Sequence, residues 1–134
     1  MEAPENIKVL RVLVADDDDA FRYIARSVLE DMSHDVIEAR DGLEALRECL
    51  KAIGEGRAFD LVLLDLNMSD TGWNGIETVV RLTELTPRPK IILSTGAADD
   101  PIVNYPDSMG FDEMLIKPYP LEALRETVMK LCNK

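Results

Sequence analysis

The stretch Leu61-Val62-Leu63-Leu64-Asp65 constrains the fold of this chain more than any other. Four apolar residues without polar alternation run straight into a carboxylate. A short run of this kind fits a strand covered on both faces, as in the middle of a parallel sheet. Open α/β sheets hold ligands in the crevice beyond the carboxyl ends of their strands. Taken alone, Asp65 is either a group facing such a crevice or the first residue of a turn.

The rest of the chain repeats the arrangement. Residues 1 to 7 read as a lead-in, and Val9 to Val14 is a first apolar strand, followed by Ala15 and then Asp16-Asp17-Asp18-Asp19. Phe21, Ile24, Ala25, Val28, Leu29 and Met32 form one apolar helical stripe, which Asp19 or Asp18 can cap. Asp35 to Ala39 is a second short strand. Asp41 then opens a helix with Glu44 three residues on, and Leu43, Leu46, Leu50 and Ile53 are its expected buried face. After the third strand, Met68 to Gly75 is polar and rich in breakers, hence a loop. Ile76, Val79, Val80 and Thr83 mark a third helix, stopped by Thr86-Pro87-Arg88-Pro89.

Lys90 to Thr95 is a fourth strand, closed by Gly96. Residues 97 to 110 stand where another helix belongs, but Pro101, Pro106 and Gly110 predict a short, broken or mobile one. Met114-Leu115-Ile116-Lys117-Pro118 is the fifth strand and its exit. Leu121, Leu124, Val128 and Leu131 line the last helix. Strands and helices alternating in this way predict an α/β fold, a doubly wound five-stranded parallel sheet with helices on both faces. The 134 residues read as a single domain, 1–134, with its core at about residues 8–132.

A parallel sheet brings Asp16, Asp17, Asp65, Thr95 and Lys117 to one edge. Crowded carboxylates repel one another unless a cation lies between them, and hard oxygen donors with partial hydration point to Mg²⁺. A carboxylate beside a divalent cation, an ammonium and a hydroxyl can accept a phosphoryl group, because that transfer needs mainly in-line positioning and cations around the equatorial oxygens. In that reading Lys117 pairs with the phosphoryl group, Thr95 donates to it, and Gly96 leaves room for donor and water. The net charge of −11 opposes binding to nucleic acid or to anionic membranes and fits a cation-binding protein that touches other proteins. No apolar run reaches spanning length and the acidic start lacks a signal-peptide layout, so a cytoplasmic protein is expected. Cys49 and Cys132 read as free thiols on helices, and His34 as a solvated loop residue.

The chain resembles the receiver domain of two-component response regulators along nearly its whole length. The resemblance is carried by Val14-Ala15-Asp16-Asp17-Asp18, Arg40-Asp41-Gly42-Leu43-Glu44-Ala45-Leu46, Leu63-Leu64-Asp65-Leu66-Asn67-Met68, Ser94-Thr95-Gly96 and Leu115-Ile116-Lys117-Pro118. It implies a flavodoxin-like sheet of order 2-1-3-4-5. It implies that Asp65 is the phosphoacceptor, served by a histidine kinase or histidine phosphotransfer protein, and that a downstream protein target reads the result. Asp17, Asp65 and the backbone carbonyl of Asn67 would hold Mg²⁺ directly, with Asp16 acting mainly through water. Thr95 and Lys117 would contact the phosphoryl group, and Lys117-Pro118 would be a cis peptide. The surface of the fourth helical region, fifth strand and last helix would report the phosphorylated state. Such a domain catalyses only its own phosphorylation and dephosphorylation. The alternative function is a Mg²⁺-dependent phosphohydrolase with an aspartyl nucleophile, but such enzymes carry a second aspartate where Asn67 stands.

Three departures bear on the switch. Met114 occupies the position, three before the lysine, where the family usually has an aromatic residue, so readout through flexible Met packing is expected instead. The loop after Asp65 is longer than usual, with Ser69 where proline is common and Trp73 as packing, cap or partner contact. The prolines between 97 and 110 predict an output surface that becomes ordered on phosphorylation or partner binding. Tyr105 and Tyr119 read as packing or interface residues.

Overall fold

Strands form where the chain has its short apolar runs, and helices form where apolar residues return every third or fourth position. The computed structural model describes residues 9–66, 75–96 and 110–132. Its strands are β1 (Arg11–Ala15), β2 (Asp35–Ala39), β3 (Leu61–Asp65), β4 (Lys90–Thr95) and β5 (Glu113–Ile116). Its helices are α1 (Asp19–Asp31), α2 (Gly42–Gly54), α3 (Gly75–Thr83) and α4 (Leu121–Cys132). All strand pairs are parallel, in the order β2-β1-β3-β4-β5. The order and fold class therefore agree with expectation. The expected helix over 97–110 falls, except for Gly110, outside the described residues.

The register explains how one edge comes to hold the polar groups. Ala15 pairs with Leu64, Asp65 with Ser94, and Thr95 with Ile116, so successive strands end level with one another. Alternation along β3 sorts its side chains between two cores. Val62 and Leu64 pack with Ala45, Cys49, Val79 and Leu82 under α2 and α3. Leu61 and Leu63 pack with Ala25, Leu29, Leu124 and Val128 under α1 and α4. Asp65 is in phase with Leu61 and Leu63 and so belongs to the α1–α4 side. The β3 apolar residues are at most 1% exposed, and each such side chain contributes about 1.5–3 kcal/mol of burial.

Helix starts follow the acidic residues. Asp18, not Asp19, caps α1, its Oδ1 accepting from Ala20 N at 2.9 Å and Phe21 N at 3.2 Å. Asp41 caps α2 by accepting from Glu44 N at 2.8 Å, and Glu44 accepts in return from Arg40 N at 3.1 Å. The helix faces are rotated from the expected stripes. On α2 the buried residues are Gly42, Ala45, Cys49 and Ala52, whereas Leu50 is 51% exposed. Small residues let α2 approach its neighbours closely: a Cβ on Gly42 would lie 2.1 Å from Thr78 Oγ1 of α3. The larger leucines at 43 and 46 are left half-buried at the margin of that contact. On α1 the stripe holds at Ala25, Val28 and Leu29, but Ile24 is 43% exposed and Arg22 is buried in its place. Val80 and Leu121 are also exposed, at 45% and 47%.

His34 departs from its expected solvation. It is 8% exposed, and its Nδ1 accepts a hydrogen bond from Leu10 N at 3.0 Å. It ties the β1 approach to the turn before β2. Burial lowers its pKa from the usual 6.5, with Asp60 opposing that shift. The unfolded chain then binds the proton more readily than the folded one, so this contribution to stability is complete above pH 6.5 and is lost as pH falls through the lower folded value. Urea unfolding at pH 7.5 and 5.5 should show a larger stability loss for the wild type than for His34→Asn, whose side-chain oxygen can still accept from Leu10. Equal losses would contradict this reading.

Candidate functional site

The level strand ends place Asp16 just past β1, Asp65 at the end of β3, Thr95 at the end of β4 and Lys117 just past β5. Carboxylate oxygens of Asp16, Asp17 and Asp65 all lie within 4.8 Å of one another. Asp16 and Asp65 are buried, at 1% and 5% exposure, and Asp17 is exposed. Two of the clustered carboxylates are thus buried and the third faces solvent. Thr95 is fully buried beside it in sequence and register, and its carbonyl accepts from Lys117 N at 2.7 Å. Next to Thr95, a Cβ on Gly96 would meet nothing within 4 Å, in line with the open approach expected there. Asn67 lies outside the described residues, as do Ser69, Trp73 and Tyr105.

Each polar group of Asp16 has a partner. Its N donates to Ala39 O at 3.1 Å, Oδ1 accepts from Asp18 N at 2.9 Å, and Oδ2 accepts from Lys117 Nζ at 2.8 Å. Lys117 Nζ stands farther from Asp65 Oδ2, at 4.0 Å, and 4.2 Å above the centre of the Phe21 ring. The Lys117-Pro118 peptide is cis, as expected; Thr86-Pro87 is cis as well. The donor set of three close carboxylates, two of them buried, fits a hard divalent cation, and Lys117 Nζ offsets part of their mutual repulsion from the Asp16 side.

Tyr119 packs as expected, and Arg22 is a participant that the sequence reading missed. Tyr119 stands two residues past Lys117, its ring edge-on to Phe21 at 6.1 Å and its hydroxyl 3.2 Å from Ser94 Oγ. Burial, and to a lesser extent Asp16 and Asp65, push the Tyr119 phenol up to about 12, while the Ser94 bond opposes the shift. Arg22 lies under the Asp16 turn, hydrogen-bonded to Asp16 O, Glu38 and Asp19. Burial works against its charge, but the bonds to Asp19 and Glu38 outweigh it and hold the guanidinium above its ordinary pKa. The one signal for Arg22 was its helical spacing from Ala25 and Leu29, a row that otherwise faces the core. Met114 is half-buried and packs against the core under α2 and α3.

Residues 12–129 match the family model of the response regulator receiver domain. The chain belongs to that family. This receiver domain is 31% identical over 121 residues to the transcriptional regulatory protein ResD of Bacillus subtilis, covering 90% of the chain but 46% of ResD. It thus spans less than half of that relative. With the chemotaxis protein CheY-3 of Vibrio cholerae it shares 30% identity over 100% of the chain and 99% of the relative. Among solved structures, a CheY-like receiver domain from Methanospirillum hungatei superposes with a TM-score of 0.81 at 26% identity, over 94% of this chain and 95% of the other. The receiver domain is a module of two-component signalling, and receiver domains are in general signalling domains rather than enzymes. Membership does not favour the phosphohydrolase alternative. Among the described residues no helix is long and apolar enough to cross a membrane.

Proposed function

We propose that Asp65 is the phosphoacceptor of this receiver domain and that Asp65, Asp17 and the Asn67 carbonyl hold Mg²⁺, with Asp16 acting through water. The convergence of three carboxylates within 4.8 Å at the end of a buried strand is the observation that carries the reading. The Asp16 oxygens accept from Asp18 N and Lys117 Nζ, in keeping with a role for Asp16 through water. When bound, Mg²⁺ supplies positive charge against the carboxylates and the transferring phosphoryl oxygens.

A carboxylate oxygen of Asp65 attacks the phosphorus of a phosphohistidine. The phosphorus–nitrogen bond breaks, and the donor imidazole keeps the electron pair and takes up a proton. Lys117 is 4.0 Å from Asp65 and moves toward the new phosphoryl group, which competes with Asp16 for its ammonium. Thr95 donates its hydroxyl to a second phosphoryl oxygen. In hydrolysis water attacks the phosphorus, the bond to the Asp65 oxygen breaks, and inorganic phosphate leaves with the carboxylate restored. The phosphodonor is a histidine kinase or phosphotransfer protein, and the output is contact with a downstream protein in the cytoplasm. One receiver unit, with its core at about 8–132, carries all of this.

Incubation with acetyl phosphate should add one phosphoryl group by intact mass with Mg²⁺ present and none after chelation. A gain independent of Mg²⁺ would overturn the metal role. No gain in either condition would overturn the acceptor role. Steady turnover of general phosphomonoesters would favour the hydrolase.

A further inference from the structure

We propose that Arg22 is a positioning residue that sets the peptide between Asp16 and Asp17 and so aims the Asp17 carboxylate for cation binding. The proposal rests on the Mg²⁺ reading above and extends it to a residue outside the carboxylate cluster.

Arginine is almost never fully buried unless it is paired. Arg22 is 7% exposed although it sits on a helix whose neighbouring residue, Tyr23, is 71% exposed. Helical ion pairing with Asp19, three residues earlier, is satisfied at the surface and does not require burial. What burial does provide is a bond from Arg22 Nη1 to Asp16 O, at 2.6 Å. That oxygen belongs to the peptide joining Asp16 to Asp17. Its direction fixes the peptide plane, and the plane fixes how Asp17 leaves the strand end.

The guanidinium is itself held against rotation. Its Nε donates to Glu38 Oε1 at 3.1 Å, and the other Glu38 oxygen accepts from Arg26 Nη1 at 3.0 Å. Arg26 is braced in turn by Glu30, its Nε donating to Oε2 at 3.1 Å. A chain of charged bonds thus runs from β2 and α1 to one carbonyl. The other side of Asp16 is held by Ala39, Asp18 and Lys117. Arg22 adds a restraint on the carbonyl of this turn.

The sign of the effect separates positioning from plain electrostatics. A cation near a carboxylate cluster repels a second cation, so removing its charge alone should tighten Mg²⁺ binding. Removing an aiming contact should weaken it, and outer contacts of this kind are worth about 10–100-fold in metal affinity.

Calorimetric titration of the unphosphorylated full chain with Mg²⁺ makes the test, using wild type, Arg22→Met and Glu38→Gln. Met keeps length and apolar stem but has no donor. Glu38→Gln removes the negative charge but keeps an oxygen that can accept from Arg22 Nε, so the brace and the Arg22 bond to Asp16 O stay available. The expected result is Mg²⁺ binding about 10-fold weaker in Arg22→Met, with Glu38→Gln within about 2-fold of wild type. Phosphorylation of Arg22→Met by acetyl phosphate should return toward the wild-type rate as Mg²⁺ is raised to saturation. Equal or tighter binding in Arg22→Met would overturn the proposal. So would weakening in both variants in proportion to their loss of thermal stability, since that marks a purely structural role. Wild type that binds no Mg²⁺ would instead overturn the metal site itself, and the Arg22 role with it.

Discussion

Asp65→Asn should take up no phosphoryl group from a small phosphodonor under conditions that convert the wild type. The amide oxygen of asparagine keeps the shape of the site but is a poor nucleophile, so the loss is one of chemistry and not of fold. The folding consequence should run the other way. Asp65 is 5% exposed and shares a 4.8 Å cluster with two other carboxylates, so removing its charge relieves repulsion in metal-free buffer. The variant should therefore unfold at an equal or higher temperature than wild type without Mg²⁺, and bind Mg²⁺ more weakly. Intact mass and a thermal melt on the same samples check both. Uptake at the wild-type rate would move the acceptor elsewhere, and the exposed Asp17 would be the first place to look.

Lys117→Ala should slow phosphoryl uptake by about 10²-fold or more at saturating Mg²⁺, the usual loss when a preorganised charge-stabilising donor is removed. Lys117 bridges the two buried carboxylates, 2.8 Å from Asp16 and 4.0 Å from Asp65. Its loss leaves Asp16 with one side-chain partner fewer and leaves the incoming phosphoryl group without its ammonium. Mg²⁺ binding should be unchanged or tighter, because a competing cation has gone. That opposition, slower chemistry with undiminished metal affinity, distinguishes Lys117 from Arg22, whose removal weakens the metal and spares the chemistry. Arg at position 117 should not restore the rate, since a planar guanidinium over Phe21 cannot reproduce a compact ammonium. Time courses by intact mass for both variants decide it; rates within about 3-fold of wild type would remove Lys117 from the reaction, given the size of effect expected.

Much of the site was legible because strand ends obey a simple rule. A buried parallel strand must be apolar until it leaves the core, so the first carboxylate, hydroxyl or ammonium after each run marks the same edge. Asp16, Asp65 and Lys117 could be placed in this way, and Thr95 as the last residue before Gly96 closes the fourth run, one past the first hydroxyl, Ser94. Helix faces were less legible. Hydrophobicity points to the leucines as the buried face, whereas the α2 contact selects for size: Ala45, Cys49 and Ala52 are buried and Leu50 is not. His34 was missed because its burial depends on a partner distant in the chain, Leu10, and Arg22, despite its helical spacing from Ala25, because its charge is matched by the distant Glu38. The Ser94–Tyr119 hydroxyl pair also requires β4 and the exit of β5 to be adjacent before it can be seen.

The central claim is that the β3 aspartate carries the phosphoryl group at the shared carboxylate pocket. The most direct measurement is reduction of the freshly phosphorylated protein with borohydride, which converts an aspartyl phosphate to homoserine, followed by peptide mapping. Homoserine at position 65 alone, formed only when Mg²⁺ was present during phosphorylation, is the expected result. Homoserine at Asp17 or at another aspartate, or a phosphoryl group that resists reduction, would contradict it.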